Sequence, residues 1–190
     1  MTRLWLVRHA PTHVKAMVGW SDVPADTSNG EAFARLAAHL PKAPVVTSGL
    51  LRARQTAEAL ALRGPGLPDE PDLREIHFGD WELKAFDEVS ATAPDHIRAF
   101  WDQPGDIAPP RGESWNAFAR RVDAAADRLV AAGHPDLIVI CHFGVILRLI
   151  ERALGIPTIE AFSHRIDNLS VTEIATSPTG WTALRINHVP

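Results

Sequence analysis

Three places in this 190-residue chain bring together residue types that can handle a phosphate. Arg8-His9 follows the apolar run Leu4-Trp5-Leu6-Val7, with Pro11-Thr12 just beyond. Thr47-Ser48 follows Val45-Val46, and the next segment carries Arg52 and Arg54. His142-Phe143-Gly144 follows Leu137-Ile138-Val139-Ile140-Cys141. An arginine presents a planar fork that matches phosphate oxygens and keeps its charge near neutral pH. A backbone turning from strand into helix, as at His142-Phe143-Gly144, offers N–H groups to an anion. An imidazole can attack phosphorus in line to form a phosphohistidine, and a carboxylic acid can then protonate the leaving oxygen.

These residues meet only if the elements before them lie side by side. The three apolar runs read as buried strands, the run Leu137–Cys141 as a central parallel one. Ser28 to Leu40 reads as a helix capped at Ser28 with Glu31 three residues on, stopped by Pro41. Leu51–Leu62, Glu113–Ala132 and Phe143–Leu154 read as further helices, the last ended by Gly155. Leu169–Ala175 and Trp181–His188 read as an antiparallel pair around Ser177-Pro178-Thr179-Gly180. Strands alternating with helices predict a three-layer α/β/α sandwich with a mainly parallel sheet, in one domain over residues 1–190. Ligands of such sheets sit at the carboxyl ends of the strands, where all three groups fall. The stretch 64–112, dense in Pro, Gly and Asp with short helical pieces near Leu83–Val89 and Asp95–Trp101, reads as an insertion forming a lid or wall over that site.

Five blocks of sequence, in order, resemble the histidine phosphatase superfamily, the phosphoglycerate mutase-like proteins. Leu6-Val7-Arg8-His9-Ala10-Pro11-Thr12 resembles L-V-R-H-G-x-T, and Ser48-Gly49-Leu50-Leu51-Arg52-Ala53-Arg54-Gln55-Thr56-Ala57 resembles S-P-L-x-R-A-x-Q-T-A. Leu73 to Glu82 resembles L-x-E-x-x-x-G-x-W-E, Gly112-Glu113-Ser114 a G-E-S, and Val139 to Arg148 the pattern V-x-x-H-x-G-V-I-x-R. Within the superfamily the chain is nearest in feel to the α-ribazole phosphatase and broad-specificity branch. The resemblance implies His9 as nucleophile, Glu75 as proton donor and His142 as a second imidazole. It also implies Arg8 and Arg52 on the phosphoryl oxygens, with Thr12 and the Phe143 junction as further phosphate contacts, and no metal or other cofactor. Trp20, Trp81 and Glu82 are candidates for the substrate mouth, with Glu82 the substitute acid should Glu75 be a surface carboxylate. The two tryptophans and Phe143 can equally be plain packing.

The chemistry so implied is metal-independent hydrolysis of a small phosphorylated metabolite. The alternatives are a phosphoglycerate mutase-type transfer and a non-catalytic phosphate-binding module. The chain lacks the extra segments with which mutases grip phosphoglycerate, which favours hydrolysis by analogy. Ala10 stands where relatives carry Gly, and Gly49 where they carry Pro.

Composition excludes several other readings. With net charge −4 no dedicated nucleic-acid surface is expected, and no apolar run approaches the roughly 20 residues of a membrane helix. The start does not read as a secretory leader, and one cysteine excludes an internal disulfide framework, so the expected location is the cytoplasm. A cysteine phosphatase needs C-x5-R, but Leu147 occupies that arginine position after Cys141. The basic residues are 16 Arg and only 3 Lys, alongside 9 His; the expectation is a local cationic pocket, with most other Arg and His on solvated surface.

Overall fold

A computed structural model describes residues 1–190. Its elements are β1 (Thr2–Arg8), α1 (Gly30–His39), β2 (Val45–Thr47), α2 (Leu51–Leu60), α3 (Phe86–Ser90), α4 (Pro94–Asp102), α5 (Trp115–Ala131), β3 (Asp136–Cys141), α6 (Phe143–Leu154), α7 (Thr158–Ala161), β4 (Val171–Ser177) and β5 (Gly180–His188). The strands form one sheet in the order β2-β3-β1-β4-β5. β2, β3 and β1 run parallel, β4 is antiparallel to β1, and β5 is antiparallel to β4. The chain is thus an α/β sandwich with a mainly parallel core. None of its helices is long and apolar enough to cross a membrane.

Alternation along the strands builds the two faces, because successive side chains point to opposite sides. Trp5, Val7, Ile138 and Ile140 pack with Phe33 and Leu36 of α1 and Ala53 and Leu60 of α2. Leu4, Leu6, Leu137 and Val139 pack on the other face with Phe118 and Val122 of α5 and Val145 and Leu149 of α6. Both central strands are apolar on both sides because both sides are covered.

Register then decides what stands at the sheet rim. Arg8 pairs with Cys141, and Thr47 with Ile140. One step further along each strand, His9, Ser48 and His142 leave the sheet together. The His9 N–H still donates to the Cys141 carbonyl at 3.0 Å, which holds the first step level.

The stretch 64–112 packs as a wall. Leu73, Ile76, Phe78, Trp81, Val89, Ile97 and Phe100 are buried in the same apolar cluster as Phe118 and Val145. Two single 3-10 turns, Pro71–Leu73 and Gly79–Trp81, punctuate it. Gly79 has φ +54, and a Cβ there would meet the Pro110 carbonyl at 2.2 Å, so the backbones of 77–79 and 110–112 touch where the glycine leaves room.

Several element boundaries differ from expectation for local reasons. α1 is capped by Asn29, whose side chain accepts from the Ala32 N–H, while Ser28 N–H donates to Asp26. Leu83 lies at φ +61, so no helix can begin there, and α3 starts at Phe86. Leu169 lies at φ +60, which delays β4 to Val171. Ala10 is absent from the positive-φ positions, so its backbone suits a residue with a Cβ.

Candidate active site

The Arg8-His9 step enters a cavity of about 280 Å³ at the rim of β1 and β3, shared with Thr12, Arg52, Glu75 and Phe143. Its outer side is apolar, formed by Val14, Met17 and Val18. His9 Nδ1 lies 2.7 Å from the Ala10 carbonyl, which can only accept, so Nδ1 carries the ring proton and the Nε2 lone pair is free. Arg52 Nε donates to that Nε2 at 3.3 Å. Burial, reinforced by the charge of Arg52, lowers the His9 pKa to about 3, so the ring is neutral at physiological pH.

His142 is fully buried, its ring centroid 5.1 Å from that of His9. Its Nε2 shares a hydrogen bond of 2.7 Å with the Ser48 hydroxyl, and its Nδ1 has no protein partner. Burial together with Arg52 and His9 holds its pKa well below the ordinary range. Neutral His142 carries one ring proton: on Nε2 the Ser48 hydroxyl accepts it, and on Nδ1 the hydroxyl donates to Nε2 instead.

Arg52 is almost wholly buried, and its guanidinium donates to the Gly19 carbonyl at 2.7 Å and the Ser21 carbonyl at 3.0 Å. Arg8 donates to the Ile166 carbonyl at 2.6 Å, its Nε is unpartnered, and its guanidinium lies 5.2 Å from the Phe143 ring centroid. Two cations thus converge on one cavity wall, each aimed by backbone carbonyls. Thr56 links the two segments that present them: its hydroxyl accepts from the Ala10 N–H and donates to the Arg52 carbonyl.

Glu75 lines the same cavity. Its Oε2 accepts from the Gly144 N–H at 3.0 Å, and its Oε1 from the Ile76 N–H at 3.0 Å. Burial raises its pKa, while these N–H groups, Arg52 and Arg8 pull the other way without reversing the shift. A Cβ on residue 144 would come within 2.4 Å of Glu75 Oε1, so the glycine makes room for the carboxyl. Phe143, as the first residue of α6, keeps an N–H with no intrahelical acceptor.

A protein-family model of the histidine phosphatase superfamily, branch 1, matches residues 4–189. The chain belongs to the histidine phosphatase superfamily. It is 33% identical over 175 residues to an adenosylcobalamin/α-ribazole phosphatase of Salmonella typhimurium, covering 87% of this chain and 86% of that one. It is 30% identical over 192 residues to a probable phosphoglycerate mutase GpmB of Serratia proteamaculans, covering 96% and 89%. Among solved structures, YhfR of Bacillus stearothermophilus superposes with a TM-score of 0.90 at 28% identity, over 100% of this chain and 98% of that one.

Six of the residues singled out from the sequence line the cavity: Arg8, His9, Thr12, Arg52, Glu75 and Phe143. His142 lies beneath it, against His9. Three others are placed elsewhere. Trp81 is a correction: it is only 4% exposed and packs edge-on against His96 and Phe100, so it belongs to the core. Trp20 lies behind the acid, its Nε1–H donating to the Glu75 carbonyl and its ring against His77. Glu82 is no substitute acid, because its carboxylate accepts from the N–H groups of Gly19, Trp20, Ser21 and Phe78 and from the Ser21 hydroxyl. Burial works against its charge, but these bonds hold its pKa below the usual range. Glu82 therefore fixes the loop whose carbonyls aim Arg52.

Arg121 of α5 carries no motif that marks it in the sequence. It pairs with Glu113 through Nε and Nη2, and donates to the carbonyls of Asp72, Arg74 and Glu75. Glu113, the acid of the G-E-S block, also accepts from the His77 N–H. The only advance signal is the G-E-S itself, a carboxylate eight residues before an arginine on the following helix.

Proposed function

We propose that the chain is a phosphomonoester hydrolase working through a phosphohistidine on His9. The observation that carries this reading is the Nδ1–H of His9 fixed on the Ala10 carbonyl, which leaves Nε2 as a nucleophile in a cavity with two arginines and a raised-pKa carboxyl. Arg8 and Arg52 hold the phosphoryl oxygens. His9 Nε2 gives up its contact with Arg52 and attacks phosphorus in line. The N–P bond forms, the ester P–O bond breaks, and Glu75 gives its proton to the leaving oxygen. Glu75, now a carboxylate, takes a proton from water as that water attacks phosphorus. The N–P bond breaks, orthophosphate leaves, and His9 is neutral again. The dianionic substrate offsets the charge of both arginines, and this favours the protonated form of Glu75 when it is needed.

Hydrolysis is favoured over mutase-type transfer by the lining itself, where Arg8 and Arg52 are the only cationic side chains. A phosphoglycerate needs a further partner for its carboxylate. The substrates are small phosphorylated metabolites, and the relatives named as α-ribazole phosphatases put that ester among the first to try. The wall formed by 64–112 completes the cavity within a single domain, and no metal or other cofactor takes part. The deciding experiment is a panel of metabolite phosphates with excess chelator, run on wild type and on His9→Ala. Wild type should turn over at least one ester and yield an acid-labile, base-stable phosphoenzyme. Full activity in His9→Ala would sink the mechanism.

A further inference from the structure

A second cavity, of about 220 Å³, backs onto the first. Glu75, Phe78, Trp101 and Phe143 belong to both linings. The rest of its wall includes Phe100, Pro104, Trp115, Leu147 and Phe162. The rings lock one another edge-on: Phe100 with Trp101 at 4.9 Å between centroids, Trp115 with Phe162 at 4.8 Å. The Trp115 N–H is already directed at Glu151, so that indole shows the cavity a carbon face. Glu75 is the one titratable group in the lining.

The position of this slot follows from the chemistry already proposed. In-line attack by His9 puts the leaving oxygen on the far side of phosphorus, and that oxygen must meet the Glu75 carboxyl. Glu75 stands at the join of the two cavities, so the group attached to that oxygen is delivered to the mouth of the slot. No arginine, lysine or histidine lines it, so a carboxylate or second phosphate there would be desolvated without a partner. A flat apolar group would instead find aromatic edges and faces at van der Waals distance.

We infer that this slot binds the leaving group, and that the preferred substrates are phosphate esters carrying an aryl or comparably flat apolar group near the phosphorylated oxygen. This rests on the hydrolase reading for the direction of the leaving group, but binding to the slot does not need turnover. The test therefore uses two non-hydrolysable probes, methylphosphonate and 1-naphthylmethylphosphonate, in calorimetry on wild type, Phe162→Ala and Phe162→Leu. Phe162 lines the slot and not the phosphate cavity. The naphthyl probe should bind wild type about tenfold tighter or more, and that ratio should fall in Phe162→Ala and less in Phe162→Leu. In parallel, methyl resonances of Leu147 should shift under the ring current of the naphthyl probe and stay in place with methylphosphonate. Equal affinities with unshifted Leu147 methyls would overturn the slot, whether or not the variants fold. Preferential naphthyl binding without hydrolysis of any ester would leave the slot standing and remove the hydrolase reading. Hydrolysis through His9 with no aryl preference would do the reverse.

Discussion

The Gly144 N–H donates to Glu75 Oε2 across 69 positions of chain, and in doing so ties the wall segment to the first turn of α6. The same glycine leaves the gap that Glu75 Oε1 fills. A methyl group at 144 therefore pushes the carboxyl off its bond while leaving the arginines in place. Gly144→Ala should lower kcat by about 10²–10⁴-fold, the usual contribution of a positioned acid. Orthophosphate affinity, measured by competition, should change little; a variant with full kcat would refute the placement of the acid.

Turnover should follow an asymmetric pH profile. Burial holds the His9 pKa at about 3, so the proposed nucleophile is neutral throughout the neutral range and should set no limb there. Glu75, raised by burial, must keep its proton, so kcat should fall as pH rises through its raised pKa. Glu75→Gln should be slow and lack that limb. A profile rising with pH through neutrality would contradict the assignment of roles.

Stability carries the opposite signature at low pH. The His9 pKa is depressed in the fold, so its contribution is complete above the unfolded value of 6.5 and is lost as pH falls towards about 3. The upper bound on this contribution is about 5 kcal/mol, because each tenfold change in proton affinity between the folded and unfolded chain corresponds to about 1.36 kcal/mol. His9→Gln should flatten denaturant midpoints between pH 6.5 and about 4 relative to wild type; identical slopes would show that burial of His9 carries no such linkage.

Arg121 anchors the carbonyls of Asp72, Arg74 and Glu75, and the last belongs to the acid itself. Arg121→Met removes a donor from all three carbonyls and from Glu113; the Glu75 carbonyl keeps Trp20 and Glu113 keeps the His77 N–H, so the cost of about 1–3 kcal/mol for each group left unpaired falls on the Asp72 and Arg74 carbonyls. If the anchor positions Glu75, the variant should also lose kcat more than KM, and its alkaline limb should move. Loss of stability with kcat and limb unaltered would mark a purely structural role.

The rim was legible in the sequence because apolar strands ended in polar residues, and parallel packing makes strand ends adjacent. Arg8, His9 and His142 follow from that alone, whereas Arg52, on the helix after β2, was singled out from Arg54 by the S-P-L-x-R resemblance. Facing was not legible where motif spacing fixed order but not direction. Trp81 and Glu82 sit in one motif beside the site, yet the 3-10 turn at Gly79–Trp81 sends the indole into the core and leaves the carboxylate beneath Gly19. Arg121 was invisible because its acceptors are backbone carbonyls 46 to 49 residues away, and carbonyls carry no sequence signature. The slot likewise depends on α4 and α7 meeting α6, a tertiary contact between short helices with weak local signals.

Arg52, held by Gly19 and Ser21 before any ester arrives, has a consequence for the end of the catalytic cycle. A guanidinium already oriented costs little further entropy when it closes on an anion. It makes no distinction between an ester and the orthophosphate left behind. The frame that captures substrate without rearrangement should therefore hold product as well, so that the enzyme slows as its own phosphate accumulates.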